Sequence, residues 1–141
     1  MSETLVLASE LRGQLEHRAR EAFPRECCGL VEGAREHAHI RATAIHPTRN
    51  LAREPDRFEI DPAEHIALMR ALRGSGREIV ACYHSHPNGG TDLSPRDLAG
   101  AFDEDLVWIV IALEENARMP ATVRAFRSSA GHSFEVTIIC A

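Results

Sequence analysis

The sequence predicts a single α/β domain of the mixed α+β kind: a curved mixed β-sheet of six to seven strands flanked by three helices, over residues 1–141. Three observations predict it. Amphipathic helical stretches alternate with short apolar runs instead of being segregated from them. Two of those runs, 79–83 and 106–113, are almost uninterrupted in apolar residues, the pattern of strands covered on both faces. The length, 141 residues, suits one hydrophobic core without disulfide or metal staples.

In chain order, Ser9 to Phe23 carries Leu11, Leu15, Ala19, Ala22 and Phe23 at helical spacing and is stopped by Pro24. Cys28–Glu32 and Ala38–Ile45 read as strands joined across the polar turn Gly33–His37. A polar loop, Pro47–Pro55, leads to an extended Arg57–Ile60. Asp61-Pro62 then opens a second helix, with Asp as N-cap and Pro in the first turn. It runs through Ile66, Met69 and Leu72 to Gly74-Ser75-Gly76. Glu78–His86 is a central strand, Ser94 to Phe102 a third helix, and Leu106–Leu113 the strongest strand in the chain. Thr122–Phe126 and Ser133–Ile139 form a hairpin across Ser129-Ala130-Gly131.

Composition narrows the function. With 44% apolar and 26% charged residues the chain is neither disordered nor fibrous. A net charge of −5 leaves no basic footprint for nucleic acid. No apolar run approaches the ~18–20 residues of a membrane span. Glu3 and Glu10 stand where a signal peptide would be basic, so a cytoplasmic protein is expected. All 16 basic residues are Arg, which excludes lysine Schiff-base and P-loop lysine chemistry and leaves no lysine side chain to carry an isopeptide-linked modifier. Cys27, Cys28, Cys82 and Cys140 lack C-x-x-C spacing and read as reduced thiols.

The chemistry gathers at Tyr83-His84-Ser85-His86-Pro87. His84 and His86, at i and i+2 on a strand, project from one face, and Pro87 ends the strand beside them. Two convergent imidazoles suit Zn²⁺, and a catalytic site needs a third protein ligand and an open position. Asp97 and Asp92 are the local candidates for that ligand. Cys82 shares the face of His84 but sits too far back, and His46, which also precedes a proline, is the least settled of the remaining histidines. Ser94-Pro95-Arg96-Asp97 also has the form of a helix cap, which would fix where Ser94 and Asp97 point. A metal-assisted hydrolase needs a general base as well, and local chemistry alone does not choose among the glutamates.

These residues resemble a family pattern, that of the JAMM/MPN-type zinc metallopeptidases and in particular their small prokaryotic members. An upstream Glu is followed by His-x-His-Pro, seven residues, Ser, two residues and Asp; here these are Glu26, His84-Ser85-His86-Pro87, Ser94 and Asp97. Pro24-Arg25-Glu26-Cys27-Cys28-Gly29-Leu30 is similar to the segment that carries the family's Glu. Asn50 and Arg57-Phe58-Glu59-Ile60-Asp61-Pro62 are similar to its loop and second-helix start. Two departures, Leu93 where Pro is frequent and Ala81-Cys82 where Gly is frequent, touch no proposed ligand.

The resemblance implies an MPN/JAMM-like fold and one Zn²⁺ per chain on His84, His86 and Asp97. It implies Glu26 as general base and Ser94 as hydrogen-bond donor to the oxyanion. The implied reaction is hydrolysis of a peptide or isopeptide bond at the C-terminus of a ubiquitin-like or sulfur-carrier protein. An extended substrate tail is expected to add as a strand at the sheet edge near His86 and lie across the zinc; Asn50 and Arg57 are candidates to touch it, with a surface ion pair as the default reading. The oligomeric state stays open, a homodimer among the options. The alternative from the same family is a non-catalytic scaffold module that retains zinc. A zinc deaminase, which needs His-x-Glu and two Cys spaced by two, does not match His-x-His and adjacent Cys.

Overall fold

Along the computed structural model the elements are β1 (Thr4–Val6), α1 (Ser9–Ala22), β2 (Cys28–Glu36), β3 (His39–Thr48), α2 (Pro62–Leu72), β4 (Glu78–His86), β5 (Val107–Ala112), β6 (Thr122–Ser129) and β7 (His132–Ile139). The structure describes residues 3–87, 90–92, 94, 97, 105–113 and 121–140. The strands form one closed mixed sheet in the order β1-β3-β2-β4-β5-β6-β7. Closure depends on β1, which runs parallel to both neighbours and pairs Thr4 with His39 on one side and with Thr137 on the other.

β4 and β5 lie side by side and parallel, in register from Ala81↔Val107 to His86↔Ala112. Every residue of β5 is buried, as is every residue of β4 after Glu78, which accounts for their unbroken apolar character. One face packs with Leu15 and Ala19 of α1 around Tyr83, Ile109 and Ile111. The opposite face, with Cys82, Trp108 and Val110, packs against Leu68 and Leu72 of α2 and Phe58 and Ile60 of the loop before it. His84 alternates onto this second face with Cys82. The candidate ligands therefore stand at the carboxyl end of a parallel strand, under α2 and its leading loop.

The α+β class and the mixed sheet agree with the sequence reading, with four differences in detail. The first strand, β1, has no counterpart in the sequence reading, and the extended Arg57–Ile60 contributes a single bridge between Ile60 and Asn50. β2 continues through Glu36, so the turn shrinks to His37-Ala38, with His37 at φ 54°. The last hairpin likewise turns on two residues, Ala130 and Gly131, both at positive φ as a type I′ turn requires. Of the third helix predicted over Ser94–Phe102, Asp97 is helical, and most of the rest lies outside the described residues. Two helices stand among the described residues.

Candidate metal centre

β4 delivers His84 and His86 to the same side, and Asp97, a helical residue between β4 and β5, joins them. His84 Nε2, His86 Nε2 and Asp97 Oδ2 form a near-equilateral triangle with edges of 3.0, 3.0 and 3.1 Å. All three residues are buried. Tetrahedral ligands bound at about 2.0–2.1 Å lie about 3.3 Å apart, so the triangle is close to the spacing Zn²⁺ requires.

The electrostatics point the same way. Burial alone would raise the Asp97 carboxyl, but hydrogen bonds with His84 and His86 outweigh it and hold the group far below the ordinary carboxylate range. At His86 burial works against the charged form; the Asp97 hydrogen bond, the Gly90 carbonyl and the charges of Asp97 and Glu26 overcome it, and the pKa is raised. His84, fully buried, is pushed down by desolvation despite Asp97. The carboxylate thus faces one imidazole favoured in its charged form and one favoured neutral. Two nitrogens with one carboxylate oxygen are a donor set that suits zinc.

Each ligand is held differently. His86 Nδ1 lies 2.7 Å from the Gly90 carbonyl, which can only accept, so Nδ1 carries the hydrogen and Nε2 is left for metal. His84 Nδ1 has no hydrogen-bond partner among the described residues. Its ring instead belongs to an aromatic cluster: Phe58 stacks on it at 4.3 Å between centroids and 14° between planes, and Trp108 meets both rings edge-on at 6.0 Å. Asp97 is fixed by a reciprocal cap. The Ser94 amide donates to Asp97 Oδ2 at 2.9 Å, and the Asp97 amide donates to Ser94 Oγ at 3.0 Å. The cap read in Ser94-Pro95-Arg96-Asp97 is present, and with Ser94 Oγ accepting from the Asp97 amide its hydroxyl hydrogen points to a further acceptor.

Glu26 reaches the site through strand register. Cys28 pairs with His84, the Ser85 amide donates to the Cys27 carbonyl at 3.1 Å, and the Cys27 amide donates to Ser85 Oγ at 2.8 Å. One step further along this antiparallel run sets Glu26 beside His86. Glu26 is buried, and its charge contributes to the raised pKa of His86.

A family model for prokaryotic homologs of the JAB domain matches residues 8–129. The chain belongs to this prokaryotic JAB family. Among JAB-type relatives, a desampylase of Haloferax volcanii is 32% identical over 114 residues, spanning 77% of this chain and 81% of that one. A protein of Thermus thermophilus named as a probable TtuB-protein conjugate cleaving protease is 38% identical over 95 residues, 64% of this chain and 60% of its own length. The solution structure of protein DSY2949 from Desulfitobacterium hafniense superposes with a TM-score of 0.86 at 26% identity, covering 97% of this chain and 92% of that one.

Within this JAB domain the other sequence candidates fall away from the triangle. Asp92 is exposed and pairs with Arg124 at 2.8 Å. His46 pairs with Glu32 at 2.9 Å on the β2–β3 ladder. Cys82 packs in the apolar cluster under α2, and none of the four cysteines forms a disulfide. β4 is an inner strand of the sheet, paired with β2 as far as His84 and with β5 as far as His86. A groove of about 800 Å³ opens past Asp97, with Phe58, Ile60, Cys82, Leu106 and Trp108 in its walls. Asn50 does not face outward: both its side-chain atoms bond to backbone. Sequence reasoning gave no role to Phe58 or to the Gly90 carbonyl, and only the Arg57–Pro62 segment's similarity to the family marked the neighbourhood of Phe58.

Proposed function

We propose that this JAB-family chain is a zinc-dependent hydrolase of a peptide or isopeptide bond at the C-terminus of a ubiquitin-like or sulfur-carrier protein. The observation that carries the proposal is the convergence of His84 Nε2, His86 Nε2 and Asp97 Oδ2 within 3.1 Å of one another in a buried pocket beside an open groove. These three atoms would hold the metal. Zinc, when bound, supplies Lewis acidity towards water and the scissile carbonyl.

The chain's own residues do the rest. The Glu26 carboxylate takes the proton of the attacking water and delivers it to the leaving amine. The Ser94 hydroxyl, its acceptor side occupied by the Asp97 amide, donates towards the carbonyl oxygen as charge builds there. The Gly90 carbonyl keeps His86 in the tautomer that leaves Nε2 free. The groove past Asp97 takes the extended tail of the substrate. The names of the Haloferax and Thermus relatives support protein conjugates as the substrate class.

The experiment is incubation of zinc-loaded chain with ubiquitin-fold sulfur-carrier proteins bearing C-terminal extensions or lysine-linked conjugates, read by intact mass. Loss of the extension or release of the conjugate, abolished by chelation and restored by zinc, is expected. A zinc-loaded chain that leaves every carrier intact contradicts the proposal.

A further inference from the structure

We propose that Asn50 is a positioning residue that sets the place of Glu26 and of Phe58 together, a role that rests on the reading of Glu26 as general base. Glu26 falls between the end of α1 at Ala22 and the start of β2 at Cys28, so neither helix nor ladder satisfies its peptide groups. The loop after β3 does so instead. The Glu26 amide donates to the Pro55 carbonyl at 3.2 Å, and Asn50 Nδ2 donates to the Glu26 carbonyl at 3.0 Å.

The same amide group closes the loop on itself. Asn50 Nδ2 donates its second hydrogen to the Arg57 carbonyl at 2.9 Å, while Oδ1 accepts from the Ala52 and Glu59 amides, each at 2.9 Å. A carboxamide offers two donors and two acceptor sites, and all four are used. The orientation is forced, because both partners of Nδ2 are carbonyls and both partners of Oδ1 are amides. Two of the four bonds go to the peptide groups on either side of Phe58, whose ring stacks on His84. One side chain thus ties the backbone that carries the base to the ring that braces a metal ligand. Arg25 adds a second tie, donating to the Arg53 carbonyl at 2.8 Å and the Ala52 carbonyl at 3.3 Å.

No other polar side chain of this size meets the requirement. Aspartate keeps the shape and both acceptor bonds but turns lone pairs towards the Glu26 and Arg57 carbonyls. The loop turn at Ala52 is then retained while the hold on Glu26 is lost. Misplacing a catalytic group by about 1 Å costs on the order of a hundredfold in rate.

The test compares wild type, Asn50→Asp, Asn50→Gln and Glu26→Gln, all at saturating zinc, on a ubiquitin-fold carrier with a C-terminal extension. Asn50→Asp is expected to bind one zinc per chain and to lose about a hundredfold in kcat with KM near the wild-type value. Hydrogen exchange at the Glu26 amide, a readout independent of turnover, is expected to quicken by about tenfold as its loop partner loosens. Asn50→Gln, which keeps every donor and acceptor one methylene further out, is expected to fall between the two, and it carries the comparison if the Asp variant does not fold. A folded, zinc-loaded Asn50→Asp with wild-type kcat, beside an inactive Glu26→Gln, overturns the role of Asn50 alone. An active Glu26→Gln overturns the general-base reading and the inference with it.

Discussion

Replacing Phe58 tests how His84 is held. Metal-binding histidines are usually oriented by a hydrogen bond from the second ring nitrogen. His86 has one, to Gly90; His84 Nδ1 has none among the described residues. Stacking by Phe58, with Trp108 at the edge, must supply the orientation. An aromatic pair of this kind contributes about 0.5–1.5 kcal/mol beyond the area it buries. If that term is spent on fixing the ring for metal, its loss lowers zinc affinity by about two- to thirteenfold. Phe58→Leu is the useful variant, since it retains apolar bulk against Ile60 and Trp108 while removing the π face. Zinc affinity is read by competition with a chromophoric chelator at neutral pH, with thermal unfolding as the check on folding. Phe58→Tyr should bind like wild type. A folded Phe58→Leu with wild-type zinc affinity would refute the reasoning and leave packing around Trp108 as the cause of the ring's orientation.

Two further predictions concern pH and packing. Zinc binding requires both imidazoles neutral. The raised pKa of His86 makes its proton the first competitor as pH falls, while His84, pushed down by burial, joins only in stronger acid and Asp97 stays ionised. Apparent zinc affinity should therefore fall with acid in two stages, by about tenfold per pH unit at first and more steeply later; a slope of about a hundredfold per unit from the onset of the fall contradicts this. Gly29 faces its cross-strand partner Tyr83, and a Cβ there would collide with the fully buried ring. Gly29→Ala should cost about 1–3 kcal/mol in the unfolding of the metal-free chain. Gly13→Ala, in the open middle of α1 with nothing within 4 Å, should gain about 0.5–1 kcal/mol. Equal effects at the two glycines would contradict the packing account.

The convergence of His84 and His86, and the cap at Ser94 and Asp97, were legible because their determinants are local, while the choice of Asp97 over Asp92 came with the family resemblance. A two-residue strand period aims His84 and His86 to one side, and a three-residue capping period aims Asp97 back at them. The covered strands β4 and β5 announced themselves through unbroken apolar runs for the same reason. What escaped depends on contacts distant in the chain. β1 is three residues long and has no alternation to read, and it is a strand because it bridges β3 and β7, pairing Thr4 with Thr137. The role of Asn50 escaped because nothing in its neighbours says that four backbone groups, from Glu26 to Glu59, converge on it. Phe58 read as part of an extended segment, and its partner His84 lies on another element altogether.

The central claim is that a metal triangle and a separate carboxylate divide the work, and Glu26→Gln measures it most directly. Metal content by mass spectrometry and cleavage of an extended ubiquitin-fold carrier are read on the same preparation. The account predicts about one zinc per chain in both proteins and cleavage by the wild type alone. Cleavage by the zinc-loaded Glu26→Gln variant, or loss of zinc along with activity, would contradict it.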